Sequence, residues 1–236
     1  MTVYILIAVL AIALGIFVYW LLVKVPALKP VLYVVLPIAI VALTYYIYKG
    51  IDEPIQFEKE KAKRYEVVKQ NLIDIRTAQE AYIKIHGVYA DNLDTLIASV
   101  KNDSLPNVRA IGSVPDSLLE KGYTEKRAAQ EGIIIRDTIL EPILASAFPK
   151  NYPIDSLKFV PFSSGLEFEL ERGVIETASK VKVQVFEARA PFDWWLKGLN
   201  EQLIINLNEQ RRLNDQYEGL KVGSLTETNN NAGNWE

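Results

Sequence analysis

The side chains that could do chemistry are few. His86 is the one imidazole in the 236-residue chain, and there is no cysteine. A single histidine without thiolates does not make a usual zinc site. A Ser-His-Asp triad would have to be built on His86, with no G-x-S-x-G elbow to present the serine. The patterns G-x-x-x-x-G-K-[ST], G-x-G-x-x-G and H-E-x-x-H are also missing, so no phosphate cradle, dinucleotide turn or metalloprotease helix is expected. Carboxylates are plentiful, but those with visible spacing lie on a solvated strand face. Glu167, Glu169 and Glu171 alternate with Leu166, Phe168 and Leu170. A Ser–Lys or carboxylate pair assembled only in space stays open. The chain therefore reads as non-enzymatic, with no catalytic, cofactor-binding or metal-binding residue and no cofactor. The alternative function that stays open is a membrane-anchored binding or sensor module for a peptide or small ligand.

One short pattern recurs around a hydroxyl. Asp94-Thr-Leu, Asp103-Ser-Leu, Asp116-Ser-Leu, Asp137-Thr-Ile and Asp155-Ser-Leu share it. Aspartate and serine favour turns and caps, which offers a folding explanation. The triplet also resembles an O-glycosylation sequon of bacterial envelope proteins, and that likeness implies a domain outside the cytoplasm.

The elements that must position these residues begin with two apolar runs, Thr2–Val23 and Val31–Tyr48, each free of charge. Each is about long enough to cross a hydrocarbon core of roughly 30 Å as a helix. The first run has no basic n-region and no convincing cleavage site, so a retained two-span hairpin over residues 1–50 is expected rather than a signal peptide. Tyr19-Trp20 and Tyr45-Tyr46-Ile47-Tyr48 read as interfacial belts, and a bend is expected at Pro37. No ionisable group lies in either span, which argues against an ion pathway built by this chain alone. After residue 48 the chain has 24 basic and 29 acidic groups, a net of −5, with no basic footprint for nucleic acid. The positive-inside signal is divided between Lys24 and Lys29 on one side and Lys49 to Arg64 on the other.

Asp52-Glu53-Pro54 reads as a linker opening a soluble domain over 51–215. Its first helix runs from about Gln56 to His86, and its charged opening turns, Phe57 to Arg64, read as a solvated stalk. Tyr65, Val68, Leu72, Ile75, Ala78 or Gln79, and Tyr82 form one stripe at helical spacing. The stripe must bury against the chain's own sheet or against a partner. Gly87 ends the helix as a left-handed cap. Asp91 is placed as the N-cap of a short helix to about Val100, and residues 101–130 are mixed. Strands follow from Ile133 towards Ile139, at Leu157–Phe162 and Leu166–Glu171 around a Ser163-Ser164-Gly165 hairpin turn, and at Val181–Val185. An amphipathic helix is expected from Phe192 to about Leu213. Residues 216–236 read as a Gly/Asn-rich tail, either loose or docked through Trp235.

The stretch Lys61 to Tyr82, with Gly87-Val-Tyr89 and Leu93…Leu96 after it, resembles the start of the globular domain of type II secretion pseudopilins and type IV pilins. The resemblance covers residues 61–96. It implies a long helix, a Gly-x-Tyr turn, a short helix and then an antiparallel sheet, on the periplasmic side. The chain departs from that family in having two apolar runs, no glutamate in either and no prepilin cleavage site. The expectation is thus a membrane-anchored α+β protein: an inner-membrane hairpin, a long stalk helix and an antiparallel sheet domain. It would serve as a non-enzymatic subunit of an envelope complex of the secretion or energy-transduction type. Its partners would be the lipid bilayer and other membrane or periplasmic proteins, or further copies of itself. The residues expected to meet a partner are Tyr65, Val68, Leu72, Ile75, Tyr82 and Trp235.

Overall fold

The computed structural model describes residues 29–111, 135–177 and 179–236, with scattered positions among 13–24 and at 124 and 127. The first apolar run and Asp116-Ser-Leu fall largely outside the described residues. Two compact units are present, Met1–Gln56 and Phe57–Glu236. The architecture is mixed α+β, with one long N-terminal apolar helix and antiparallel sheets.

Helix α1 spans Lys29–His86, with Pro37 and Pro54 inside it. The linker expected at Asp52–Pro54 is helical instead. Proline removes one backbone bond there. The neighbouring turn is held by i,i+4 side-chain pairs, Lys49 with Glu53 at 3.2 Å and Gln56 with Asp52 at 3.4 Å. Among the described residues, α1 is the one helix long and apolar enough to cross a bilayer.

In the unit from Phe57 onward, α1 ends at Gly87, whose φ of +73° and bond from its amide to Ile83 O at 2.8 Å make the expected cap. Helix α2, Leu93–Asn102, follows. Its N-cap is Asn92 rather than Asp91: the Asn92 side chain accepts from the Thr95 amide at 2.7 Å, while Asp91 faces Arg172. Strands β1, Ser104–Ile111, and β2, Ile135–Pro142, pair antiparallel. The mixed segment thus opens as a strand with Pro106 in it. A short helix α3, Ile143–Ala147, and a 3-10 turn, Ile154–Lys158, come next.

The second sheet has the order β3-β4-β5, with β3 at Glu169–Glu176, β4 at Lys182–Pro191 and β5 at Gly219–Gly223. The hairpin expected around Ser163-Ser164-Gly165 is a tight loop with one bridge, Phe159 to Glu167. Phe162, Ser164 and Gly165 all have positive φ, which a pleated strand does not accommodate, so β3 starts later than the apolar alternation suggests. The helix expected over 192–213 is two pieces, α4 at Phe192–Trp195 and α5 at Glu201–Leu213. Gly198, at φ +86°, and the N-cap Asn200 separate them.

Residues 216–236 are not a detached tail. Gly219–Gly223 is the third strand of the sheet, and Gly233 and Asn234 bridge back to its far edge. The glycines that resemble linker composition are the ones this packing requires. A Cβ on Gly219 would lie 2.4 Å from Ala190 O, and one on Gly223 2.2 Å from Phe186 O. Register puts Leu170, Phe186, Ala188, Ala190, Leu220 and Val222 on one face of the sheet. Apart from the half-buried Leu170, these close over the α1 stripe and α2 in a single core.

Candidate functional site

The residues singled out in the sequence converge on α1 from Tyr65 to Tyr82, and the structure shows what covers them. Val68, Leu72 and Ile75 have no exposed surface, and both Ala78 and Gln79 are fully buried beside them. They pack in the interior of their own domain, so of the two occupants open for this stripe it is the chain's own sheet. Tyr65 is half-buried and meets Trp195 edge-on at 6.5 Å. Tyr82 is half-buried and stacks on His86 at 4.2 Å. Trp235 docks partly buried against the core, its ring where a Cβ on Gly233 would sit.

Arg64, Arg76, Gln79 and His86 each clasp α1 to the rest of the domain, and sequence reasoning assigned none of these contacts. Arg64 lies in the segment read as a solvated stalk, yet Phe57 is buried there and Arg64 is half-buried. Its guanidinium donates to Trp195 O at 3.0 Å and Lys197 O at 3.1 Å, and it lies over the Phe162 ring at 5.1 Å. These bonds satisfy carbonyls at the end of α4, where intrahelical donors run out. Arg76 donates to Asn231 O at 3.3 Å and pairs with Glu236 at 2.6 Å, tying the C-terminal segment down. Gln79 bonds both backbone groups of Ala90. His86 lies 2.9 Å from Asp103, which also accepts from the Ser99 hydroxyl. The signal available was a polar residue in register with an apolar stripe, as at Gln79.

The outer face of the sheet carries a charge network. Arg189 pairs with Glu169, Glu171 and Glu187, and Lys221 reaches Glu187 at 2.9 Å. Burial opposes the charge on Arg189, but the three carboxylates outweigh it and hold the guanidinium above its ordinary value. Tyr217 is pushed up by burial first and then by Glu169. The three carboxylates share two cations, Arg189 and Lys221, so the face is an ion-pair network rather than an acid–base couple. The partners of these carboxylates are Arg189, across from β3 on β4, and Lys221 on β5. Among the described residues no group of three or more His, Asp and Glu side chains is placed to hold a metal ion. In the first unit an apolar groove of about 620 Å³ is lined by Pro37, Ile38, Val41, Ala42, Tyr45 and Tyr46. It offers two tyrosine hydroxyls and no other polar side chain to fix a ligand.

No family model matches the chain, and no curated protein or solved structure matches it either.

Proposed function

We propose that this chain is a non-enzymatic subunit of a bacterial envelope complex. The apolar part of α1 and the run before it anchor it as a two-span hairpin in the inner membrane, and its α+β domain lies in the periplasm. One observation carries the reading. From Val31 to Ile55, every described large apolar side chain is 46% or more exposed. A patch of that extent needs lipid or protein to cover it. Farther along the same helix, Val68, Leu72 and Ile75 are sealed inside the domain. The apolar character of α1 thus has two destinations, and among the described residues only the second is met.

The element order supports the pseudopilin-like reading of residues 61–96: long helix, Gly87-Val-Tyr89 turn, short helix, antiparallel strands. With the stripe consumed internally, partners would meet the domain elsewhere on its surface. The test is fractionation followed by protease treatment of sealed vesicles. The protein stays with the membrane after alkaline and high-salt washes and needs detergent for release. Protease degrades the domain in right-side-out vesicles only. Mass analysis in mild detergent then finds co-purifying protein or several copies. Release by alkaline wash overturns the anchor, and a lone monodisperse monomer overturns the subunit role.

A further inference from the structure

The tip of one loop exposes more apolar surface than the fold explains. Phe159–Leu166 is a run of eight residues without a charge. Within it Phe159, Phe162 and Leu166 are 39%, 48% and 43% exposed, while Val160 and Ser163 are buried. The loop is closed on itself. The Val160 amide donates to Leu166 O at 2.8 Å, the Ser163 hydroxyl donates to Val160 O at 2.6 Å, and the Leu166 amide donates to Ser163 Oγ at 3.0 Å. Both backbone groups of Val160 and of Leu166 are thus satisfied inside the loop, and the three apolar side chains are gathered at one compact tip.

Phe162 holds φ at +66°. A bulky side chain rarely takes that conformation, and glycine or asparagine takes it with less strain. Turn geometry therefore does not account for a ring here. The interior does not account for it either, since nearly half of the residue stays exposed. What the ring meets is a cation: Arg64 lies over it at 5.1 Å, and Lys158 lies over Phe159 at 5.1 Å. Arg64 is itself fixed by Trp195 O and Lys197 O, so the tip rests on an anchored side chain.

We propose that the Phe159–Leu166 tip inserts into the headgroup region of a lipid bilayer, with Arg64 and Lys158 at the level of the phosphates. This rests on the membrane anchoring proposed above. Three features select lipid over a protein partner. Aromatic rings flanked by basic groups suit a membrane interface, where apolar body and charge lie side by side. The one exposed polar side chain of the tip is Ser164. A specific protein interface is tied by many hydrogen bonds, and lipid asks for none. The helix that supplies Arg64, α1, also carries the charge-free apolar run, so the tether keeps the domain in the presence of lipid. Arg64 is already paired with Glu60 at 3.2 Å, and Lys158 with Asp94 and Glu167 at 3.1 and 3.0 Å. Local charge is close to balance, so apolar burial drives the insertion and anionic lipid is not required.

The chain has no cysteine, so Phe162→Cys or Leu166→Cys gives the full-length protein a single thiol for an environment-sensitive nitrobenzoxadiazole label. Leu213→Cys, at the 85% exposed end of α5, is the water-facing reference. Each chain is reconstituted in phosphatidylcholine vesicles containing some nitroxide-bearing lipid, with and without phosphatidylglycerol. Labels at 162 and 166 are expected to emit at shorter wavelength than the label at 213, and to be quenched by the nitroxide about twofold more or better, in both lipid mixtures. Limited proteolysis matching the unaltered chain shows that a variant folds, and a misfolded Phe162→Cys leaves the decision to Leu166→Cys. Labels that behave like the one at 213 overturn the proposal. So does a blue shift without nitroxide quenching, which marks a protein contact, and so does quenching confined to phosphatidylglycerol, which marks charge attraction. An alkaline wash followed by flotation separates the tip from the anchor. A chain that stays with the vesicles unquenched sinks the tip and leaves the anchor standing. A chain quenched before the wash but stripped by it supports the tip and overturns the anchor.

Discussion

Gln79 closes a two-bond clasp on Ala90: its Nε2 donates to the Ala90 carbonyl at 3.0 Å, and its Oε1 accepts from the Ala90 amide at 2.9 Å. Gln79 has no exposed surface, and among the described residues no other hydrogen bond to the Ala90 backbone is present. The turn that leaves α1 is therefore pinned to the helix by one side chain. Gln79→Leu fits the apolar surroundings but strands a buried N–H and a buried C=O, at a cost of about 2–5 kcal/mol. Gln79→Glu turns a carboxylate oxygen on the Ala90 carbonyl and costs at least as much near neutral pH. Urea unfolding measures both, and a loss under about 1 kcal/mol for the leucine variant would show the clasp to be dispensable.

Glycines 223 and 165 both have positive φ, +77° and +95°, but only one is crowded. A Cβ on Gly223 meets Phe186 O at 2.2 Å, whereas nothing lies within 4 Å of one on Gly165. Gly165→Ala is expected to cost about 1–2 kcal/mol, the strain of the left-handed conformation alone. Gly223→Ala adds displacement of β5 from β4 and is expected to exceed it by about 2 kcal/mol or more. Thermal melts of the two variants check the order, and equal losses refute the crowding argument.

Arg64 is the residue in the charged opening of the domain whose geometry matters. Its fork serves two carbonyls, at 3.0 and 3.1 Å, and stacks over Phe162. A lysine keeps the charge but not the planar fork. Arg64→Lys is therefore expected to lose about 1–2 kcal/mol. Lys63→Ala, one position away and exposed, is expected to change stability by less than about 0.5 kcal/mol. Parallel denaturation curves decide it, and equal effects would return this segment to a purely solvated role.

Asp103 sets an acid limit. Its carboxyl is held below the ordinary 3.8, first by the Ser99 hydroxyl donating to it and then by His86. The folded value thus lies under the unfolded one. The stabilisation is complete above the unfolded value and is withdrawn as pH falls through the folded value. Ser99→Ala removes the larger cause, so its acid-unfolding midpoint should move to higher pH. Asp103→Asn should lose this part of the pH dependence altogether. Circular dichroism across an acid titration reads both, and an unmoved midpoint in Ser99→Ala would assign acid unfolding to other carboxylates.

The helical periodicity from Tyr65 to Tyr82 was legible because one face of a long helix repeats a simple spacing. What covers that face was not, since a stripe has the same pattern whether its own sheet or another protein buries it. The ambiguity between Ala78 and Gln79 was itself the signal: both are buried, and the polar one holds a turn. Gly219 to Gly223 misled for a physical reason. Glycine marks loose linkers and also backbones pressed too close for a side chain, and only the neighbour tells them apart. Asn92 and Asp91 differ as caps by one position, which composition does not resolve. The Phe162 to Gly165 loop hides behind strand-like alternation because dihedral angles leave no mark in hydropathy.

The last strand of the sheet is also the last to be synthesised. Arg76 finds Asn231 across 155 positions, and β4 gains its second neighbour only with residues 219–223. At 5–20 residues per second, on the order of ten seconds pass between the birth of α1 and the arrival of its cover. For that interval Val68, Leu72 and Ile75 face the crowded surroundings of a nascent chain. The core of this protein is therefore completed only once its C-terminal segment has been made.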